Sequence, residues 1–235
     1  MADAGGLKTI DPERLRGELH DQGWSVIEGL LDARSCGALS SLYAQDERFR
    51  STVVMARHGF GSGEYRYFAY PLPPIVARLR TMLYPPLARI ANEWNERLGL
   101  AERYPATHRA FVEHCRSNGQ TRPTPLLLKY GAGDYNCLHQ DLYGDVVFPL
   151  QLTILLSDPG KDFQGGEFVL TEQRPRRQSR AHVVPLSRGD AVIFAVRQRP
   201  REGKRGYYRV NLRHGVSTIR GGSRLTAGII FHDAR

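Results

Sequence analysis

Eight short apolar or alternating runs crowd the chain after Pro123, each bounded by Gly, Pro, Asp, Asn or a similar breaker. They are Thr124 to Tyr130, Phe148 to Leu156, Glu167 to Leu170, His182 to Leu186, Ala191 to Val196, Tyr207 to Asn211, Arg213 to Thr218 and Leu225 to Phe231. Runs of this length with such punctuation read as antiparallel strands, and eight of them predict a jelly roll. The expected fold is mainly β with flanking helices around a double-stranded β-helix, cupin-like core.

The residues before Pro123 have a different texture. Asp11-Pro12-Glu13 is a helix start, with a capping carboxylate and Pro at the first helical position, and Leu15 and Leu19 follow at helical spacing. Trp24 to Ile27 reads as a short strand, Asp32 caps a second helix through Cys36, Leu39 and Leu42, and Ile75 to Leu98 is a long apolar-periodic stretch. The glycines of Gly59-Phe60-Gly61-Ser62-Gly63-Glu64 precede an aromatic strand pattern, Tyr65 to Tyr70, rather than a helix. They therefore read as a flap near a pocket, not as a phosphate loop. The tyrosines of that strand read as packing residues.

No repeat or low-complexity linker divides the 235 residues. One domain is expected, with 1–122 as helical support and flap and 123–235 as the jelly-roll core. A chain of this length can bury a core without staples, and Cys36, Cys115 and Cys137 have neither the number nor the spacing of a disulfide framework or a thiolate zinc site. Neither a signal-like apolar core in residues 1–20 nor a membrane-length apolar run is present. A cytoplasmic protein with no membrane partner is expected.

His139-Gln140-Asp141 places an imidazole and a carboxylate two residues apart, on the same side of an extended segment. Alone this pattern is weak, because eight His and twelve Asp produce roughly 0.4 such matches by chance in a chain of this length. His214, between the last runs, supplies a second imidazole. Two His and one carboxylate make a facial triad with three positions left open, which suits non-haem Fe(II); a structural zinc site would be closed by four protein ligands. Ten residues further on, strand alternation puts Arg224, Thr226 and Gly228 on one face, and the same period pairs Gln151 with Thr153. An Arg beside a hydroxyl and a small residue can hold a carboxylate in a bidentate pair. His182 and His232 have no spaced carboxylate and read as core or rim residues, Cys137 as a small strand residue, and Gly165-Gly166 as a turn.

Net charge is +9, all of it in one block: from Glu172 to Arg213 twelve basic residues face three acids, and the rest of the chain is neutral. Such a block reads either as a phosphate-binding surface or as a solvated face.

His139-x-Asp141, the distant His214 and Arg224 resemble the Fe(II)- and 2-oxoglutarate-dependent oxygenases. Tyr130 with Tyr135, Asp162 to Phe168, Arg188 to Phe194 and Arg213 to Val216 fall in the order of the prolyl-hydroxylase-like branch. Longer phrases (Asn136 to Gly144, Thr171 to Arg176, Gly228 to Ala234) resemble a bacterial oxygenase family described as acting on damaged DNA. The resemblance implies that His139, Asp141 and His214 bind Fe(II). It also implies that Arg224 meets the distal carboxylate of 2-oxoglutarate, with Tyr130, Thr226 and Thr153 as hydrogen-bond partners. Decarboxylation of 2-oxoglutarate with O2 would then drive hydroxylation of a C–H bond. Where prolyl hydroxylases commonly carry Lys, this chain has Arg224, a departure from collagen-type chemistry. Two substrates stay open, a modified nucleic acid that would be oxidatively demethylated at the base and an amino acid, peptide or small metabolite. A third reading is a nucleic-acid-binding β-sandwich with a non-catalytic metal site.

Overall fold

The computed structural model describes Lys8 and residues 10–235. Of the residues 1–20 read above for a leader, 1–7 and 9 lie outside that range. In chain order the helices are α1 (Pro12–Gln22), α2 (Ala33–Ser41), α3 (Pro74–Arg97) and α4 (His108–Ser117). The strands of the first half are β1 (Trp24–Ile27), β2 (Phe49–Val54), β3 (Gly61–Ser62) and β4 (Glu64–Phe68). The middle of the chain gives β5 (Leu126–Tyr130), β6 (Tyr135–His139), β7 (Leu150–Leu155), β8 (Phe163–Gly165), β9 (Phe168–Gln173) and β10 (Arg180–Val184). Last come β11 (Ala191–Ala195), β12 (Gln198–Gly203), β13 (Gly206–Val216), β14 (Ile219–Gly222) and β15 (Arg224–Ile229).

Two antiparallel sheets form the jelly roll. The major sheet runs β1-β11-β7-β15-β5-β4-β2, and the minor sheet runs β10-β9-β13-β6-β3 with β12 paired to β13. The first 122 residues are thus more than support and flap, because β1, β2 and β4 extend the major sheet. Two expected runs, Tyr207 to Asn211 and Arg213 to Thr218, fall on one strand that ends at Val216; Leu212 is buried between exposed Asn211 and Arg213, so the alternation runs unbroken from Arg209 to His214.

Capping explains where the helices begin. Asp11 accepts from the Glu13 and Arg14 amides, and Asp32 from the Ser35 amide, each filling donors that a first helical turn leaves free. Along α3, buried Val76, Leu79, Leu83, Leu87, Ile90 and Trp94 recur at three and four residues, which is a core-facing stripe.

That stripe covers the outer face of the major sheet. Leu150, Leu152 and Ile154 of β7, Ala227 and Ile229 of β15, and Leu127 of β5 share one cluster with it. Strand period two sends the alternate residues to the opposite face: Gln151 and Thr153, Arg224 and Thr226, Leu128 and Tyr130. Their register brings them side by side, with Arg224 opposite Tyr130, Thr226 opposite Leu128, and Gly228 opposite Thr153. A polar inner face on a sheet buried on both sides is what makes a pocket here. No described helix is long and apolar enough to cross a membrane.

Candidate active site

The two histidines of the triad come from the minor sheet, and Asp141 from the loop that leaves it. His139 ends β6, Asp141 follows it, and His214 lies directly opposite His139 on β13. The cross-strand pairing leaves the two rings with centroids 4.2 Å apart. His139 Nε2 is 3.4 Å from Asp141 Oδ1 and His214 Nε2 is 3.3 Å from Asp141 Oδ2. Donor atoms of the three lie within 4.8 Å of one another, close enough to share one ion.

The tautomer of His139 is set by its neighbour. Its Nδ1–H donates to the Cys137 carbonyl at 2.7 Å, since a carbonyl can only accept, and Nε2 is left with a free lone pair toward the cluster. Burial opposes charge on His139, but the hydrogen bond and charge of Asp141 outweigh it and raise its pKa. His214 lies deeper, against Phe194 at 4.5 Å, and burial together with the His139 charge lowers its pKa. Burial also works against ionised Asp141, yet the two imidazoles hold the carboxyl well below its ordinary range. The result is a deprotonated carboxylate between two nitrogen donors, the donor set of a divalent transition metal rather than of Ca²⁺ or Mg²⁺.

A cavity of about 390 Å³ opens on this cluster. Its far end belongs to the major sheet, where Arg224 is 1% exposed and its Nε and Nη1 have no hydrogen-bond partner. Burial lowers its pKa to about 10, so the guanidinium remains charged at neutral pH. A buried, charged and unpaired guanidinium is costly unless an anion meets it, and a carboxylate from a co-substrate supplies two oxygens for its fork. Tyr130, Thr226 and Thr153 line the same end, and Tyr130 Oη accepts from Asn136 Nδ2 at 3.3 Å. Gly166 has a positive φ of 64°, and a Cβ there would come within 2.9 Å of Arg224 Cδ. The expected turn glycine therefore also makes room for the Arg224 side chain.

The near end is apolar. Phe60, Leu138 and Leu142 line it and are 48%, 45% and 43% exposed, with Tyr65 and Leu126 beyond. Gly59 and Phe60 do belong to the rim, and the Phe60 carbonyl accepts from the Cys137 amide at 2.9 Å. Of the tyrosines read as packing, Tyr67 is buried and Tyr65 lines the cavity, while Tyr70 is 41% exposed.

The basic block divides in two. Glu172 is buried and binds Arg199 at 2.6 Å, Arg174 at 2.8 Å and Arg201 at 3.5 Å, so three of the twelve basic residues form an internal ion cluster. The other nine, Arg176, Arg177, Arg180, Arg188, Arg197, Lys204, Arg205, Arg209 and Arg213, are exposed and have no ion-pair partner among the described residues. None of the twelve lines the cavity.

His232 is buried and accepts the Phe148 amide through Nδ1, and His182 packs edge-on against Trp24; neither joins the triad. Sequence reasoning missed Tyr143 and the part Gln151 plays. Both donate to Asp141, at 2.7 and 2.8 Å. For Gln151 the signal was present, a polar residue on the pocket face of an otherwise apolar strand.

Fold and site together fit an oxygenase, an oxidoreductase. The family model for an "oxygenase, catalysing oxidative methylation of damaged DNA" matches residues 63–234, and the chain belongs to that family. Uncharacterized proteins from two strains of Mycobacterium tuberculosis are 49% identical over 195 residues, 81% of this chain and 84% of theirs. Solved structures share the fold at low identity. A prolyl-4-hydroxylase of Pseudomonas putida superposes with TM-score 0.53 at 16% identity, covering 96% of this chain and 100% of its own. An oxidoreductase of the 2OG-Fe(II) oxygenase family from Burkholderia pseudomallei gives 0.53 at 16%, covering 97% and 94%.

Proposed function

We propose that the protein oxidises a C–H bond of a substrate held at the apolar mouth, with Fe(II) on His139, Asp141 and His214 and with 2-oxoglutarate anchored by Arg224. The observation that carries this reading is the unpaired, buried Arg224 guanidinium at the far end of the cavity that the triad opens into. Fe(II) held there would supply the oxidising power, with 2-oxoglutarate and O2 consumed and succinate and CO2 released. The chain's own residues bind and orient. Arg224 takes the distal carboxylate in a bidentate pair, and Thr226, Thr153 and Tyr130 offer it hydroxyls. Tyr130 is fully buried and its pKa is pushed up to about 12, so it keeps its proton and can donate. Leu128, paired opposite Thr226, helps keep that end dry, which strengthens each of these contacts.

The substrate class is an N-methylated nucleobase in nucleic acid. The family description supports it, as do the exposed, unpaired basic residues of the block and a mouth that carries no charged side chain besides the triad. A base is apolar on its faces and its phosphates are not, so a neutral mouth together with an exposed cationic surface matches both parts. Hydroxylating an N-methyl group gives a hemiaminal that releases formaldehyde, so the net outcome is demethylation. The test uses protein loaded with Fe(II) and 2-oxoglutarate, with succinate and product mass as readouts. An oligonucleotide carrying an N-methylated base is expected to stimulate succinate formation and to lose the methyl group. Stimulation by an amino acid, peptide or metabolite instead would overturn the nucleic-acid assignment and leave a small-molecule or peptide hydroxylase.

A further inference from the structure

The Asp141 carboxylate is gripped from two sides. Tyr143 Oη donates to Oδ1 at 2.7 Å from the loop after β6, and Gln151 Nε2 donates to Oδ2 at 2.8 Å from β7 of the opposite sheet. The same Gln151 nitrogen stands 3.3 Å from His214 Nε2, between two members of the triad. Neither donor is free to wander. Tyr143 lies edge-on against Tyr67, with ring centroids 6.2 Å apart, and its carbonyl accepts from the buried Gln120 amide. Gln120 also donates to the Val146 carbonyl at 2.9 Å and accepts from the Asp145 and Val146 amides at 3.0 and 2.7 Å, pinning the loop. Gln151 is 3% exposed, at the centre of the major sheet.

We propose that Tyr143 and Gln151 are positioning residues that fix Asp141 as a one-oxygen metal ligand. This rests on the metal site proposed above. A carboxylate free to rotate can chelate an ion through both oxygens. With two imidazoles it would then fill four of six positions, and a chelating 2-oxo acid would take the remaining two, leaving none for O2. One donor on each oxygen fixes the carboxylate plane and occupies part of the lone-pair capacity of both atoms. Such partners of a ligand typically change metal affinity by about 10–100-fold when removed.

Gln151 makes a sharp test possible because its Oε1 is buried without a partner. Gln151→Leu removes this unpaired acceptor together with the donor to Asp141, two opposed effects of comparable size, so the net change in stability should be small. Tyr143→Phe keeps the ring and removes only the hydroxyl. The experiment titrates Fe(II) anaerobically into wild type and both variants, records the visible band of the chelated 2-oxo acid after adding 2-oxoglutarate, and measures thermal midpoints in parallel. The expected result is Fe(II) binding about 10–100-fold weaker in each variant, with a shifted band and a midpoint at or near that of wild type. Wild-type affinity and an unshifted band in both variants would overturn the clamp, as would losses that merely follow a lowered midpoint. If wild type itself fails to bind Fe(II), the metal site falls and takes the clamp with it.

Discussion

Strands β7 and β6 face each other across one cavity and could hardly differ more. Every residue of β7 is buried, whereas β6 has no buried residue and three exposed ones. The major sheet lies under α3 on one side and over the cavity on the other, and it carries Arg224, Thr226, Thr153, Tyr130 and Gln151. The minor sheet shows an outer face to water and carries the two histidines of the triad, with Asp141 in the loop that leaves it. The proposed anion site thus lies in the rigid, water-excluded layer, where a charge contact is strong. The proposed metal ligands sit in the layer that borders the mouth, where substrate must arrive.

Matched truncations would break this contrast most directly. Leu152→Ala on β7 empties fully buried space and is expected to cost about 4 kcal/mol, while Leu138→Ala on β6 should stay within about 0.5 kcal/mol. Urea denaturation of both variants measures the difference. Equal costs would mean that the minor sheet is as tightly packed as the major one.

Acid should expose the same asymmetry. Burial lowers the pKa of His232, packed beside the major sheet, to about 4, with the Arg80 charge adding to the effect. The unfolded chain takes up this proton near pH 6.5 and the folded one only near 4, so the stability is fully present above 6.5 and is lost as pH falls through that window. The group accounts for up to about 3 kcal/mol. His232→Gln should flatten the fall of the denaturation midpoint between pH 6.5 and 4; an unchanged slope would place the acid sensitivity elsewhere, with His108 the next candidate because its pKa is lowered in the same way.

The smallest expected effect on stability belongs to the outer arginines. Replacing Arg176 and Arg180 by Ala should shift stability by less than about 0.5 kcal/mol, yet lower the salt dependence of oligonucleotide binding by roughly two phosphate contacts. The counterpart is Arg199→Ala. It strands buried Glu172 and should cost stability through the core, with Arg174 and Arg201 limiting the loss. A salt slope indifferent to Arg176 and Arg180 would move the polyanion surface off this face.

What could be read from sequence follows the same division. The major-sheet strands alternate cleanly because one face meets α3 and the other the cavity, so Arg224 and Thr226 were placed on a shared face from period two alone. The caps at Asp11 and Asp32 were legible because each satisfies amides within three residues. Strand β6 is absent from the eight apolar runs, although Cys137 reads as a strand residue and His139 as extended, because its surroundings, the mouth and solvent, impose no apolar alternation. Strand β12 was missed for a different reason. Its Gln-Arg-Pro-Arg-Glu-Gly sequence is polar and is held by pairing with β13, and Arg199 is buried only because Glu172 reaches it from β9. Charge counting placed Arg199 in a surface field. The ion cluster depends on contacts between residues 27 positions apart, which no local pattern records. Tyr143 escaped for the same kind of reason: a loop residue has no period, and only the fold turns its hydroxyl to Asp141.

The division of labour between the sheets is tested most directly by anaerobic titration of Fe(II), followed by 2-oxoglutarate, into His214→Ala and Arg224→Ala. His214→Ala should lose Fe(II) binding and with it the visible band of the chelated 2-oxo acid. Arg224→Ala should bind Fe(II) like wild type but need at least about 30-fold more 2-oxoglutarate to develop the band, the equivalent of losing about 2 kcal/mol or more from a charge-assisted bidentate contact. Normal 2-oxoglutarate affinity in Arg224→Ala, or loss of Fe(II) together with it, would contradict the separation of metal and co-substrate binding between the two sheets.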